Sequence, residues 1–216
     1  MPQHPCDTHI LAARGHALWL RQALDSLVGE PTHVHLIEGG SPGNIGAGRA
    51  RAFRLGTAPY VACLDDDDTL LPGVMAQCIA YLDRHPACVG AYTDRRCLFT
   101  DGTITERRTG PWDPRRQLCD AGIVTHLTVM RRALVEQYLD ELPRWPTHDD
   151  YVLHGLLAAH GPWHHLSLLG AVKRERRPGE SLQPTDSTRL STPGLWQRAV
   201  ARVAPVLLAI DRPVSG

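Results

Sequence analysis

The first half of the chain alternates short apolar runs with amphipathic segments, and this alternation restricts the fold more than any other feature. The apolar runs are 8–13, 33–37 and 60–64. A segment with helical spacing follows each run, at 17–27, 46–56 and 72–84. In the first of these segments Leu20, Leu24 and Leu27 recur at i, i+4 and i+7, so they share one helix face. The alternation predicts an α/β fold with a mostly parallel central sheet and helices on both faces.

Polar loops stand at the end of each predicted strand, at 13–16, 38–43 and 65–68. The carboxyl ends of parallel strands meet at one edge of a sheet, and ligands of such folds bind beyond that edge. The sequence therefore predicts a binding site formed by these three loops.

Four consecutive aspartates, Asp65 to Asp68, follow the third apolar run. Packed carboxylates repel one another, and proteins keep them together mainly where a cation neutralises the charge. Asp65 and Asp67 share a face of an extended chain, so both can bind one Mg²⁺ or Mn²⁺ ion. The alternative is an acidic turn that caps the helix near Pro72. Because a cap needs only one or two aspartates, the run of four favours the metal site.

The second half of the chain is less regular. Its predicted elements are a strand over 87–99 with a hairpin turn at Asp101-Gly102, an irregular loop over 106–120, a strand over 126–130, a helix over 131–139 and a helix starting near His148. A polar loop or flexible arm is expected over 171–192, and a closing helix over 194–210 with Leu195, Val203, Val206 and Ile210 facing inward. This half is expected to be irregular or antiparallel.

The composition excludes several classes of protein. With 216 residues, 43% of them hydrophobic and 21% charged, the chain can form a sizeable core and is not disordered as a whole. No apolar run approaches the ~20 residues of a membrane span, and no signal peptide is recognisable, so we expect a cytoplasmic protein. The six cysteines and twelve histidines show no zinc-site spacing. Isolated histidines such as His9 and His33 are expected at the surface or behind a site.

Five short motifs occur along the chain in a definite order. They are IEGGS at 37–41, NIG with GRA at 44–50, YVACLDDDDTLLPG at 60–73, HDDY at 148–151 and RRPGES at 176–181. Their order and spacing, from about Thr8 to Gln183, resemble those of the family 2 glycosyltransferases, which have the GT-A nucleotide-sugar-binding fold. The third motif is similar to the family's metal-binding Asp-x-Asp segment, and HDDY resembles its Glu-Asp-Tyr motif.

The resemblance implies roles for the residues at the family's functional positions. Ala12 and Ala13 would border the nucleotide base, Glu38 would contact the nucleoside, Arg49 would approach the nucleotide or its diphosphate, Asp65 would bind ribose or sugar hydroxyls with Asp66 beside it, Asp67 with Asp65 would hold the divalent ion, Asp150 would be the general base, and Lys173, Arg176, Arg177 or Ser181 would close over the leaving group. A single base acting by in-line displacement implies inversion at the anomeric carbon.

The resemblance also implies a domain organisation and a set of ligands. A GT-A-like domain would occupy residues 1–192, with a nucleotide-sugar-binding half over 1–100 and an acceptor and catalytic half over 101–192. A C-terminal helix and tail would follow over 193–216. The expected donor is a nucleoside-diphosphate sugar, with UDP favoured, and the expected cofactor is Mn²⁺ or Mg²⁺. Ala13-Arg14-Gly15 replaces the family's usual Thr-Tyr-Asn, so base recognition is expected to differ.

Three alternatives remain open at this point. The acceptor could be a hydroxylated base in DNA, since arginine pairs at 95–96, 107–108, 115–116, 131–132 and 176–177 could form a phosphate-binding face. The net charge of zero instead favours ordinary surface positions for these arginines. The chain could be a sugar nucleotidyltransferase, although its first strand is not followed by a glycine-rich loop with a lysine. It could also be a nucleotide-sugar-binding module without catalysis.

Overall fold

A computed structural model describes residues 4–12, 17–38, 43–124, 127–175 and 194–210, and for Glu38 it describes the backbone only. The strands in these ranges are β1 (Cys6–Ala12), β2 (Thr32–Glu38), β3 (Tyr60–Asp65), β4 (Thr69–Leu70), β5 (Gly90–Phe99), β6 (Ile104–Arg107), β7 (Thr128–Arg131) and β8 (Trp163–Glu175). The helices are α1 (Ala17–Ser26), α2 (Ile45–Phe53), α3 (Val74–Arg84), α4 (Pro114–Cys119), α5 (Arg132–Val135), α6 (Asp149–Leu157) and α7 (Leu195–Ile210).

The described strands form one mixed sheet in the order β2-β1-β3-β7-β5-β8-β4, with β6 paired to β5. The first three strands are parallel, as predicted, and the register sets Leu11 beside Asp65 and Ala12 beside Glu38. From β7 onward the sheet is mixed: β7 is antiparallel to both β3 and β5, whereas β5 and β8 are parallel. The sequence predicted an irregular or antiparallel second half, with which the antiparallel pairings of β7 agree and the parallel pairing of β5 with β8 does not.

Helices cover both faces of the sheet because the side chains of its strands alternate between two apolar cores. On β3, Tyr60, Ala62 and Leu64 pack on the face that carries α1 and α3. Val61 packs on the opposite face, with residues of α2, α6 and α7. This arrangement confirms the α/β prediction and leaves the polar carboxyl ends of the parallel strands at one edge.

Two predictions of irregular structure were wrong. Part of the expected loop over 106–120 is α4, which begins where the Asp113 carboxylate accepts the backbone N–H groups of Arg115 and Arg116 at 2.7 and 3.1 Å. An Asp-Pro pair at a helix start is a recognisable signal for this cap. Residues 171–175 of the expected flexible arm belong to β8, which pairs with β5 and β4. The polar composition of these residues does not indicate a strand.

The end of the chain forms the predicted closing helix with a somewhat different inner face. Ala199, Val203 and Leu207 are fully buried along α7, and Val203 packs over Gly155 of α6. Ile210, expected to face inward, is instead exposed. The helix predicted over 131–139 is shorter than expected, since α5 ends at Val135 and a 3-10 turn follows.

Among the described residues, no helix has both the length and the apolar character that crossing a membrane requires.

Candidate functional site

The four aspartates form a tight turn at the carboxyl end of β3. The Asp68 N–H donates to the carbonyl oxygen of Asp65 at 3.1 Å, which folds the chain back on itself. As a result Asp65, Asp67 and Asp68 each have a carboxylate oxygen within 4.8 Å of the others, whereas Asp66 is outside this group. Three converging carboxylates are a donor set suited to a hard divalent cation. The sequence anticipated Asp65 and Asp67 here and missed Asp68, because the turn was read as extended chain.

The electrostatics of this acidic turn are unfavourable without a cation. Burial raises the pKa of Asp68 well above its usual value, and the charges of Asp65 and Asp67 raise it further. A backbone hydrogen bond opposes this shift, since the Arg174 N–H donates to Asp68 at 3.0 Å. The charge of Lys173 also lowers the pKa, and negative charge is concentrated at this strand end.

Arg174 at the end of β8 holds the acidic turn in place. Its guanidinium donates to the carbonyl oxygen of Asp67 and to the Gln22 side chain of α1. The same guanidinium lies 5.4 Å from the centre of the Trp19 ring, a cation–π contact. Sequence reasoning missed Arg174, because it lies in a segment expected to be a loop or a flexible arm.

Asp150 reaches the same site from the other half of the chain. His148, with φ of 62°, takes a left-handed conformation that ordinary residues rarely adopt, and α6 begins directly after it. Asp150 accepts the backbone N–H of Tyr151 at 2.7 Å. It lines one cleft together with Asp65, Arg49, Cys63 and other residues. The structure therefore brings the expected base, Asp150, and one of the two expected metal ligands, Asp65, to one cleft.

Arg49 of α2 lies in the wall of this cleft and is paired with Asp149. Its Nη1 is 3.0 Å from Asp149 Oδ2, and its Nη2 is 3.8 Å from Asp65 Oδ1. Burial raises the pKa of Asp149 to about 7; Arg49 opposes this shift, while Asp150 and Asp65 add to it. The sequence identified Asp149 only as part of the HDDY motif and did not anticipate the pair.

The structure describes only some of the remaining predicted site residues. Ala12 is buried at the end of β1, next to the backbone of Glu38 and close to Asp65 at the same sheet edge. The Glu38 side chain lies outside the described structure. Ala13, Arg176, Arg177 and Ser181 also lie outside the described residues. Lys173 is half-buried in β8.

The described arginine pairs are engaged within the protein. Arg95 pairs with Glu175, Arg107 with Asp120, Arg108 with Asp94 and Glu106, Arg131 with backbone carbonyls, and Arg132 with Asp7, while Arg116 donates to the carbonyl oxygen of Thr109. Many of the arginines that could have formed a phosphate-binding face for nucleic acid therefore have a structural role within the protein.

The fold resembles that of solved structures of Staphylococcus aureus TarS. Staphylococcus aureus TarS 1–349 in complex with UDP superimposes with a TM-score of 0.67 at 12% identity, covering 96% of this chain and 67% of that one. The complex of TarS 1–349 with UDP-GlcNAc gives a TM-score of 0.61 at 11% identity, covering 96% and 73%. At this identity the likeness concerns the fold alone.

Sequence comparison gives the family. An uncharacterized protein of Sinorhizobium fredii, y4gI, is 25% identical over 116 residues, which is 54% of this chain and only 13% of that much longer protein. The profile described as Glycosyl transferase family 2 matches residues 20–142, more than half of the chain. Together with a sheet of the GT-A type and an acidic turn at its carboxyl edge, this match shows that the chain belongs to glycosyl transferase family 2.

Proposed function

We propose that the protein is a metal-dependent glycosyltransferase that moves a sugar from a nucleoside-diphosphate sugar, with a uridine nucleotide favoured, to an acceptor hydroxyl with inversion. One observation carries the proposal: Asp150 and Asp65 line the same cleft, and Asp65 belongs to a cluster of three carboxylates. UDP and UDP-GlcNAc in the structures of the TarS fold relative support the choice of donor.

The roles proposed for the residues follow from the charges that develop during transfer. Asp65, Asp67 and Asp68 would hold a divalent ion, whose positive charge would stabilise the leaving nucleoside diphosphate. Asp150 accepts the proton of the acceptor hydroxyl while the oxygen of that hydroxyl forms a bond to the anomeric carbon. The bond from that carbon to the diphosphate breaks on the opposite face, so the configuration inverts.

The proposal also assigns the donor side and the acceptor side of the site to different parts of the chain. Residues 1–100 contribute the acidic turn and the strand ends β1 and β2, where the nucleotide would bind. Residues 101–192 contribute Asp150 and the acceptor side, and 193–216 form the closing helix and tail.

A thermal-shift panel of nucleoside diphosphates and nucleotide sugars, each with and without Mn²⁺, tests the proposal. A ligand at about 100 times its Kd adds about 2.7 kcal/mol to the free energy of unfolding of a protein that binds it only when folded. We expect a rise in Tm of about 5–10 °C with uridine nucleotides, and only when Mn²⁺ is present.

The panel is repeated with Asp67→Asn and with a matched control, Asp25→Asn, which changes an exposed aspartate of α1. The first substitution should abolish the metal-dependent rise and the second should preserve it. The absence of a nucleotide-dependent rise in the wild-type protein would contradict the proposal. Binding without hydrolysis or transfer of any sugar would instead identify a non-catalytic nucleotide-sugar-binding module.

A further inference from the structure

The start of α2 is seated closely on the segment that precedes α6. The Asn44 side chain donates to the carbonyl oxygen of Pro143 at 2.9 Å, and the Ile45 N–H donates to that of Pro146 at 3.0 Å. A Cβ atom on Gly46 would lie 2.2 Å from the Leu142 carbonyl oxygen, far inside van der Waals contact. Only glycine therefore allows this approach, which fixes α2 against the chain leading to Asp149.

Arg49 lies one helical turn after Gly46 and meets Asp149 across this contact. The side chains are 10% and 3% exposed, and their charged atoms are 3.0 Å apart. The second terminal nitrogen of Arg49 points toward Asp65 at 3.8 Å. The Arg49 Nε atom and Asp149 Oδ2 are both buried without a hydrogen-bond partner among the described residues, so the contact between the two side chains is an ion pair. The guanidinium thus stands between the carboxylates of α6 and the strand end that begins the acidic turn.

We propose that Asp149 is a positioning residue: it anchors Arg49 in the cleft wall so that the guanidinium fixes the geometry of Asp65 and Asp150, and Arg49 is not a ligand of the donor diphosphate. This inference rests on the proposed function and replaces the role that the family resemblance implies for Arg49. Reaching a diphosphate would require Arg49 to leave a buried carboxylate without its partner, which proteins strongly disfavour. Arginine suits the bridging role because its planar fork can address two carboxylates at once.

The pair therefore ties the two halves of the site together. Asp65 comes from the parallel strands and Asp150 from the first turn of α6, and Arg49 contacts both Asp65 and Asp149, which precedes Asp150 in the chain. Small misplacements of reacting groups reduce turnover strongly even when the substrate still binds. A defect in this pair should consequently appear in kcat and leave donor binding unaffected.

The test compares Arg49→Lys, Asp149→Asn and the control Arg51→Lys, whose side chain is exposed on the same helix. Donor turnover is measured with Mn²⁺, and donor affinity is measured separately by titration. We expect kcat to fall about 10- to 100-fold in the first two variants, with donor affinity within about 2-fold of the wild type. Asp149→Glu, which retains the charge, should recover part of kcat. Arg51→Lys should match the wild type.

A double variant separates positioning from stability. Arg49→Met combined with Asp149→Asn leaves no uncompensated charge, so its Tm should exceed that of Arg49→Met alone, while its kcat should stay low. Recovery of kcat together with Tm would show a merely structural pair and overturn the inference. A fall of 10-fold or more in donor affinity with unchanged kcat in Arg49→Lys would also overturn it, in favour of direct donor contact.

The two proposals fail in different ways. A wild-type protein that turns over no nucleotide sugar contradicts the proposed function and, with it, this inference. A wild-type enzyme that is active and keeps its kcat in Asp149→Asn contradicts the inference alone.

Discussion

Carboxylates lie at opposite ends of the central parallel strands, one buried carboxylate at the start and a cluster of three at the end, and their surroundings differ. At the start of β1 the buried Asp7 accepts the Ala58 N–H at 2.9 Å, His35 Nε2 at 3.0 Å and Arg132 Nη2 at 2.6 Å. At the end of β3 the acidic turn gathers three carboxylates within 4.8 Å of one another. The donors around Asp7 neutralise its charge, whereas negative charge accumulates in the acidic turn.

The pKa directions express this difference. Burial alone would raise the pKa of Asp7, but the hydrogen bonds from Ala58 and His35 and the charge of Arg132 lower it below its usual value. For Asp68 burial and the neighbouring carboxylates act in the same direction and raise the pKa. A fold that compensates a buried charge fully at one end has no stability reason to leave repulsion at the other. This contrast supports the proposal that the acidic turn is the functional end of the sheet.

Removing the compensating charge at the Asp7 end should have the largest effect on stability. Arg132 donates to the carbonyl oxygens of Ala58 and Phe53 as well as to Asp7. Arg132→Met would leave a buried carboxylate and these carbonyls without their donor, so we expect a loss of about 4 kcal/mol in the free energy of unfolding. Urea denaturation measures this loss.

The control for this change is Arg54→Met, which breaks an exposed ion pair with Asp140 and should cost less than about 1 kcal/mol. Donor turnover per folded molecule should remain close to wild type in both variants, since neither residue lines the cleft. Equal losses of stability in the two variants would remove the contrast between the ends of the sheet.

The Asp7 end should also make the protein sensitive to acid, through His9. Burial lowers the pKa of His9 from 6.5 to about 4, although its ring nitrogens lie 3.2–3.3 Å from the carbonyl oxygens of Leu55 and Ala62, which oppose the shift. Between these two pH values the unfolded chain binds a proton that the folded chain excludes, so stability is complete above pH 6.5 and falls as the pH approaches 4. At about 1.4 kcal/mol per pKa unit, this contribution is about 3 kcal/mol.

Urea denaturation between pH 4 and 7 measures this dependence in the wild type, in His9→Gln and in the control His33→Gln, which changes an exposed residue of β2. The slope over this range should flatten in His9→Gln and persist in His33→Gln. An unchanged slope in His9→Gln would mean that another group causes the loss of stability in acid. The difference between the two ends of the sheet would then not explain the pH dependence.

The extent to which the sequence predicted these two regions follows from the range of the interactions. The acidic turn could be predicted because its residues are consecutive and follow a strand. The Arg49–Asp149 pair could not, because it depends on how two distant helices pack around Gly46. His9 was expected at the surface or behind a site, and the structure excludes the surface position: β1 is flanked by β2 and β3 and covered on both faces, so even its polar side chains are buried. Asp68 was missed because local periodicity does not describe a turn.

The smallest expected change in the free energy of unfolding is at the acidic turn itself, and it is a gain of stability where the other substitutions cause a loss. Asp68→Asn removes one charge from the three carboxylates while keeping an oxygen that can accept the Arg174 N–H. Without divalent ions we expect the variant to be more stable than the wild type by about 1 kcal/mol, because like-charge repulsion is relieved. With Mn²⁺ the order should reverse, since the wild type gains binding energy that the variant loses.

Thermal denaturation in EDTA and in Mn²⁺ measures both effects. Asp101→Asn, in the exposed hairpin turn where Asp101 accepts the Thr103 N–H at 2.9 Å, is the matched control and should show neither. If Asp68→Asn were destabilised in EDTA as well, the third carboxylate would be supporting the turn and not straining it. The two ends of the sheet would then differ only in their geometry, because both would hold charges that the fold compensates.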